Sequence, residues 1–183
     1  LMPMEIEGQE KMIPGQSYVI VANHQSLLDI YVIYGLGLDM KWVMKKELRA
    51  VPFLGLACER MGHIIVDRSN TEAALATINK AQSRITGGMC VVFFAEGTRS
   101  EQTEVGQFKK GAFRFATELA LPLLPASIHN TNKVLPTNTL NWQPGKVKLI
   151  FHDPIPTTGL GNSDVPNLAR DTREIITSGL NET

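Results

Sequence analysis

The sequence predicts a single α/β domain whose central sheet is mixed but largely parallel and is flanked by helices. Two observations support this fold class. Strand-like apolar runs alternate with helical patterns along the chain, and no internal repeat, low-complexity tract or linker divides it. With 183 residues, 43% of them hydrophobic, the chain is also long enough to bury one substantial core. We therefore expect one domain over residues 1–183.

Six segments have the composition and length of strands. In chain order they are Tyr18 to Ala22, Lys41 to Met44, His63 to Val66, Met89 to Phe94, Leu123 to Ile128 and Lys146 to Phe151. The segment ending at Phe94 is almost wholly apolar, which is typical of a strand buried on both faces.

Helices fill the intervals between these strands. The best-supported helix begins at Ser69, because Ser69 and Glu72 have the spacing of a capping box. Apolar residues follow at helical spacing at Ala74, Ile78, Ala81 and Ile85. Gly87 and Gly88 then end the helix. Two further helices are predicted, from about Gly111 to Leu119 and from about Val165 to Gly179.

Composition excludes some classes of function. The 18 basic and 18 acidic residues give a formal net charge of zero, which argues against a nucleic-acid partner. The apolar runs are shorter than the roughly 18 residues that span a bilayer. The chain begins with Leu1, however, so an N-terminal membrane anchor that is missing from it is compatible with the sequence. Cys58 and Cys90 lack the spacing of a disulfide framework or a metal site, and no metal is predicted.

A histidine and a carboxylate lie five residues apart, directly after the first predicted strand. In a continuous helix His24 and Asp29 would lie about 140° apart, so they can meet only if the chain turns near His24 and a helix begins around Ser26. Asp29 would then orient one ring nitrogen and leave the other free to take a proton. An ordinary turn followed by a helix with a local cap is an equally good reading of this segment alone.

A second polar segment follows the buried strand that ends at Phe94. Arg99 offers a fork of donors suited to a phosphate, Gly97 allows the backbone to approach a ligand, and Glu96 can hold the arginine or bind a ligand hydroxyl. The alternative is a solvated turn with an internal ion pair.

Taken together, these segments resemble the glycerolipid acyltransferase family, specifically the bacterial 1-acylglycerol-3-phosphate acyltransferases. The hallmarks of that family, N-H-x4-D and F-P-E-G-T-R, correspond to N-H-Q-S-L-L-D at 23–29 and F-A-E-G-T-R at 94–99. Further matches are K-K-E-L at 45–48, G-H-I-I-V-D-R at 62–68, F-K-K-G-A-F at 108–113 and L-L-P-A at 123–126, so the resemblance covers about residues 17–130. Ala95 departs from the usual proline, and Ala126 replaces a larger aliphatic residue.

The resemblance implies a reaction and roles for matched residues. A fatty acyl group would pass from a thioester of coenzyme A or acyl carrier protein to the 2-hydroxyl of 1-acylglycerol 3-phosphate, giving phosphatidic acid without a cofactor. His24 would be the general base and Asp29 its orienting partner. The other matched residues would bind the acceptor: Arg68, Glu96, Gly97, Thr98, Arg99 and Lys109. The three cations among them would contact the acceptor phosphate, and Glu96 would support the headgroup. Backbone N–H groups at the start of the helix after His24 are candidate donors to the oxyanion.

Long-chain substrates imply a membrane surface as a partner. The apolar stretch at 50–57 is expected to line an acyl tunnel, dip into a leaflet or lie in the core. The expected location is the cytoplasmic face of the inner membrane, with the protein peripheral or held by a segment absent from this chain. Two alternatives remain open: another acceptor, such as glycerol 3-phosphate, a different lysophospholipid or a lyso-ornithine lipid, and a non-catalytic phospholipid-binding module.

Overall fold

Seven strands form one mixed sheet in the computed structural model of the protein. The structure describes residues 3–67, 76–77, 80–85, 87–97, 99, 105–137 and 139–181. The strands are β1 (Met4–Glu7), β2 (Val19–Ala22), β3 (Met40–Lys45), β4 (Ile64–Val66), β5 (Cys90–Phe94), β6 (Leu123–His129) and β7 (Val147–Phe151). Across the sheet they follow the order β1-β7-β6-β2-β5-β3-β4, and of these pairings only β6 with β7 is antiparallel within the described residues. The predicted α/β class with a mixed, largely parallel sheet is confirmed.

Helices connect the strands and cover both faces of the sheet. They are α1 (Leu28–Tyr34), α2 (Leu54–Arg60), α3 (Gly111–Glu118), α4 (Thr131–Val134) and α5 (Val165–Asn181), with short 3-10 helices at Gln9–Lys11 and Lys46–Ala50. One hydrophobic cluster includes Ile20 and residues of α1, and the other includes Val21 and residues of α3 and α5. Successive side chains of β2 thus enter opposite clusters, as the pleat of a strand requires.

The strand β2 lies at the centre of this arrangement and positions the residues that follow it. All four of its residues are buried, and it pairs in parallel with β5 on one side and β6 on the other. Ala22 is in register with both Phe94 and Ala126. The segments after β2, β5 and β6 therefore leave the sheet at the same edge, where ligands of open α/β sheets bind.

The six predicted strands are confirmed to within one residue at each end. The strand β1 was missed, because its four residues alternate charged with apolar and form a strand only through pairing with β7. The helix α2 lies in one of the intervals between strands where helices were expected, although its bounds were not predicted. Most of the helix predicted from Ser69 lies outside the described residues, although residues 76–77 and 80–82 are helical.

Candidate active site

His24 and Asp29 are in contact at the carboxyl edge of the sheet. The chain leaves β2, turns at residues 23–27 and enters α1, whose first turn carries Asp29. His24 Nδ1 lies 2.8 Å from Asp29 Oδ2, and the side chains are 13% and 0% exposed. A carboxylate can only accept, so Nδ1 carries a proton and the lone pair of the neutral ring lies on Nε2. Within the described residues Nε2 has no hydrogen-bond partner.

Asp29 also fixes the backbone that carries the histidine. Besides the ring nitrogen, its Oδ2 accepts hydrogen bonds from the backbone N–H groups of Gln25 at 2.8 Å and Ser26 at 2.9 Å. Orientation of the ring and closure of the turn therefore depend on the same carboxylate oxygen. The N–H groups of Gln25 and Ser26 are therefore directed at Asp29, and donation to an oxyanion by N–H groups at the start of α1 stays a prediction.

Buried polar bonds hold the turn against β6 and the segment after it. The Asn23 amide bridges to Ile128, donating to its carbonyl at 2.9 Å and accepting from its N–H at 2.8 Å. Ser26 Oγ donates to the Leu135 carbonyl, and Thr137 Oγ1 donates to the Gln25 carbonyl, each at 2.6 Å. Asn23 was not among the predicted site residues, although its amide at a strand end was the available signal.

Glu96 lies beneath the same turn and is 7% exposed. One carboxylate oxygen accepts the backbone N–H of His24 at 3.0 Å, and the other accepts the N–H of Gly106 at 2.9 Å. Burial of both oxygens against backbone amides makes Glu96 a link between the histidine turn and the segment at 105–109. The sequence had suggested a bond to Arg99 or to a bound headgroup, and the structure directs both oxygens elsewhere.

The other matched positions lie around this edge or outside the described residues. Gly97 adopts a φ of +78°, a backbone conformation that favours glycine. Arg99 and Lys109 are both exposed, and the Lys109 N–H donates to the Ala95 carbonyl at 2.8 Å, which places Lys109 beside the segment after β5. Arg68 and Thr98 lie outside the described residues.

The remaining histidines and the cysteines are separate from the dyad. Burial and the nearby Lys41 lower the pKa of His63, whose Nε2 lies 3.0 Å from the Tyr34 hydroxyl. Burial raises the pKa of both cysteine thiols, which favours the unreactive protonated form. Within the part of the chain that the structure describes, no group of three histidine, cysteine, aspartate or glutamate residues is arranged to hold a metal ion.

Comparison with known proteins identifies the family of this fold and site. Residues 3–129 match the family model described as Acyltransferase. The chain belongs to the acyltransferase family. Among its relatives, a chloroplastic 1-acyl-sn-glycerol-3-phosphate acyltransferase of Brassica napus is 35% identical over 82% of the chain and 44% of its own length. The human 1-acyl-sn-glycerol-3-phosphate acyltransferase alpha is 33% identical over 91% of the chain and 59% of its own length.

A solved structure shows the same fold. The crystal structure of the 1-acyl-sn-glycerophosphate (LPA) acyltransferase PlsC from Thermotoga maritima superimposes with a TM-score of 0.82 at 30% sequence identity, covering 99% of this chain and 72% of that one. The chain spans about half the length of the curated relatives it matches. In the described residues, no helix combines the length and the apolar character needed to cross a membrane.

Proposed function

We propose that this acyltransferase moves a fatty acyl group from a thioester of coenzyme A or acyl carrier protein to the 2-hydroxyl of a 1-acylglycerol 3-phosphate. One observation carries the proposal: the 2.8 Å contact between His24 Nδ1 and a fully buried Asp29, which leaves Nε2 as the basic nitrogen. The names of the relatives support the acceptor, since several of them are 1-acyl-sn-glycerol-3-phosphate acyltransferases.

The proposed reaction needs no covalent intermediate on the protein. His24 Nε2 takes the proton of the acceptor hydroxyl, and the hydroxyl oxygen at the same time bonds to the thioester carbonyl carbon. The carbon–sulfur bond then breaks, and the proton passes from the imidazolium to the departing thiolate. Asp29 stabilises the imidazolium between these two steps, and general-base catalysis of this kind contributes about 10²- to 10⁴-fold to the rate.

Cations near the carboxyl edge are proposed to bind the acceptor phosphate. Arg99 follows β5, and the backbone N–H of Lys109 donates to the carbonyl of Ala95, the residue directly after that strand. Among the described residues no carboxylate pairs with Arg99 or Lys109, so both charges are available to an anion. Arg68 remains a proposed third cation on sequence grounds alone.

A membrane surface is the proposed source of the lipid substrates. Val51, Phe53, Leu54 and Leu56 are exposed by 42%, 91%, 43% and 54%, so this segment does not lie in the core as one sequence interpretation allowed. The segment follows β3 and thus starts at the same sheet edge as His24. Transfer of apolar surface into lipid is favourable by about 25 cal/mol per Å², enough for peripheral binding.

The membrane proposal has a matched test in flotation with anionic phospholipid vesicles. We expect the Phe53→Ser, Leu56→Ser double variant to lose most vesicle binding. Leu140→Ser is the control, because Leu140 is 90% exposed but follows α4 in the chain and is not part of this segment. Equal losses of vesicle binding in the double variant and in Leu140→Ser, or no vesicle binding by the parent protein, would show that this segment does not contact the bilayer.

The reaction itself is tested by thiol release from palmitoyl-coenzyme A and from palmitoyl-acyl carrier protein, with and without 1-oleoylglycerol 3-phosphate. We expect acceptor-dependent release that falls by about 10²-fold or more in His24→Ala and persists in His63→Gln. Release without an acceptor would indicate a thioesterase. Release only with glycerol 3-phosphate or another lysolipid would change the acceptor, and lipid binding without release would indicate a binding module.

A further inference from the structure

The ring of Phe94 lies flat against the imidazole of His24. Their centroids are 3.8 Å apart and the ring planes differ by 7°. Asp29 therefore contacts the edge of the imidazole at Nδ1 while Phe94 covers one of its faces. In the sequence, the polar residues that follow Phe94 indicate a site, and the motif predicts no role for the phenyl ring itself.

Neighbouring residues hold Phe94 in this position. It is the last residue of β5 and is in register with Ala22, two residues before His24. On the side of β3, the Trp42 ring lies 5.3 Å from the Phe94 ring with an interplanar angle of 36°, and Tyr34 packs against Trp42 at 5.3 Å. Phe94 is thus supported from the sheet and from a second aromatic ring, and its partly buried side chain packs against the hydrophobic cluster that includes Ile20.

A parallel stack acts differently on the two protonation states of a histidine. The face of a phenyl ring carries negative charge density, which attracts an imidazolium more strongly than a neutral imidazole. The effect is greatest where water is excluded, and the His24 side chain is only 13% exposed. Asp29 and Phe94 would then favour the same charged form from two directions.

We propose that the face of Phe94 stabilises the imidazolium that His24 becomes when it takes the acceptor proton, so that Phe94 is a positioning residue for the general base. The expected effect of Phe94 on the reaction rate rests on the proposed function. Its effect on the protonation of His24 is independent of which acceptor, if any, the protein uses.

The test replaces Phe94 with phenylalanines carrying one, two or three ring fluorines, which weaken the negative face while changing the shape of the ring little. Two quantities are measured: kcat for acceptor-dependent thiol release, and the midpoint of His24 protonation from its Cε1–H chemical shift. We expect kcat to fall progressively by about 2- to 30-fold in total, with KM for both substrates unchanged. The protonation midpoint should move to lower pH by about 0.4 to 1.5 units across the series.

Phe93 provides the matched control. It precedes Phe94 in β5 but faces the other hydrophobic cluster, where it packs edge-on against Phe115 at 5.4 Å. The same fluorines at Phe93 should leave both quantities unchanged. A midpoint that does not move along the Phe94 series, or moves equally along the Phe93 series, would overturn the inference. Absence of acceptor-dependent release from the parent protein would instead refute the proposed function, while the midpoint would still decide the role of Phe94.

Discussion

Arg173 on α5 holds the backbone at Gly106, 67 residues earlier in the chain, through a hydrogen bond of 2.9 Å from its Nε to the Gly106 carbonyl. The guanidinium also donates to the Val105 carbonyl. Because the Gly106 N–H donates to Glu96, and Glu96 in turn accepts the N–H of His24, a continuous series of bonds joins the C-terminal helix to the proposed base. The position of His24 is therefore determined by residues far beyond its own motif.

The first prediction concerns Glu96. Glu96→Gln keeps the volume of the side chain but leaves only one carbonyl oxygen for two buried N–H groups, at a cost of about 1–3 kcal/mol in unfolding free energy. Displacement of the His24 turn should lower kcat by about 10- to 100-fold while KM for the acceptor stays unchanged. Urea unfolding and steady-state kinetics measure the two effects, with the exposed Glu118→Gln as control. A rise in acceptor KM with normal kcat would restore the headgroup role that the sequence suggested.

The second prediction concerns Arg173. Arg173→Ala removes the charge-assisted bonds to the Val105 and Gly106 carbonyls and should destabilise the fold by about 1–3 kcal/mol, with a smaller loss of kcat than Glu96→Gln. Arg170 is the matched control, because it lies on the same helix and pairs with its exposed neighbour Asp171. Arg170→Ala should change stability by less than about 0.5 kcal/mol. Similar losses in the two variants would mean that the bonds to 105–106 contribute little.

Local features of this site could be predicted from sequence, whereas its long-range links could not. The contact between His24 and Asp29 was one of two readings of their spacing, and the second motif with the family resemblance favoured it. The partners of Glu96 depend on where the segment at 105–109 crosses the sheet edge, which no local pattern specifies. The sequence around Phe94 predicted a strand but no contact with His24, because the two rings stack only when β2 and β5 are paired in register.

The same distinction applies to the fold. Strands β2 to β7 were predictable because each is an apolar run bounded by turn residues. The strand β1 has no such pattern and forms through its pairing with β7. For the apolar stretch at 50–57 the sequence left three positions open, and the exposure of its larger side chains removes only the core position. Composition alone does not distinguish an apolar run in the core from one at the surface.

The third prediction concerns the close approach of α5 to the sheet at Gly179. A Cβ at this position would lie 2.4 Å from His152 Cε1 and 2.7 Å from Ser127 Oγ, so Gly179→Ala should destabilise the fold by about 1–3 kcal/mol in urea unfolding. At Gly111, the first residue of α3, a Cβ would meet nothing within 4 Å. Gly111→Ala should therefore be neutral or stabilising by up to about 1 kcal/mol. Equal destabilisation by the two substitutions would contradict the packing argument.

The last prediction concerns the pH dependence of stability. His129 is 5% exposed, and its Nε2 is buried without a hydrogen-bond partner among the described residues. Burial, followed by the charge of Lys148, lowers the pKa of His129 below its ordinary value of 6.5, with a smaller contribution from Lys133; Glu7 and the Gly179 backbone act in the opposite direction.

Below pH 6.5 the unfolded chain therefore binds a proton at this position that the folded protein does not, and the unfolding free energy falls as pH decreases toward the folded pKa of His129. His63, whose pKa is also lowered, contributes in the same direction. Urea unfolding between pH 7.5 and about 5 should show this decline, and His129→Gln should make it less steep. A slope that His129→Gln leaves unchanged would mean that the imidazole at this position is protonated as readily in the folded protein as in the unfolded chain.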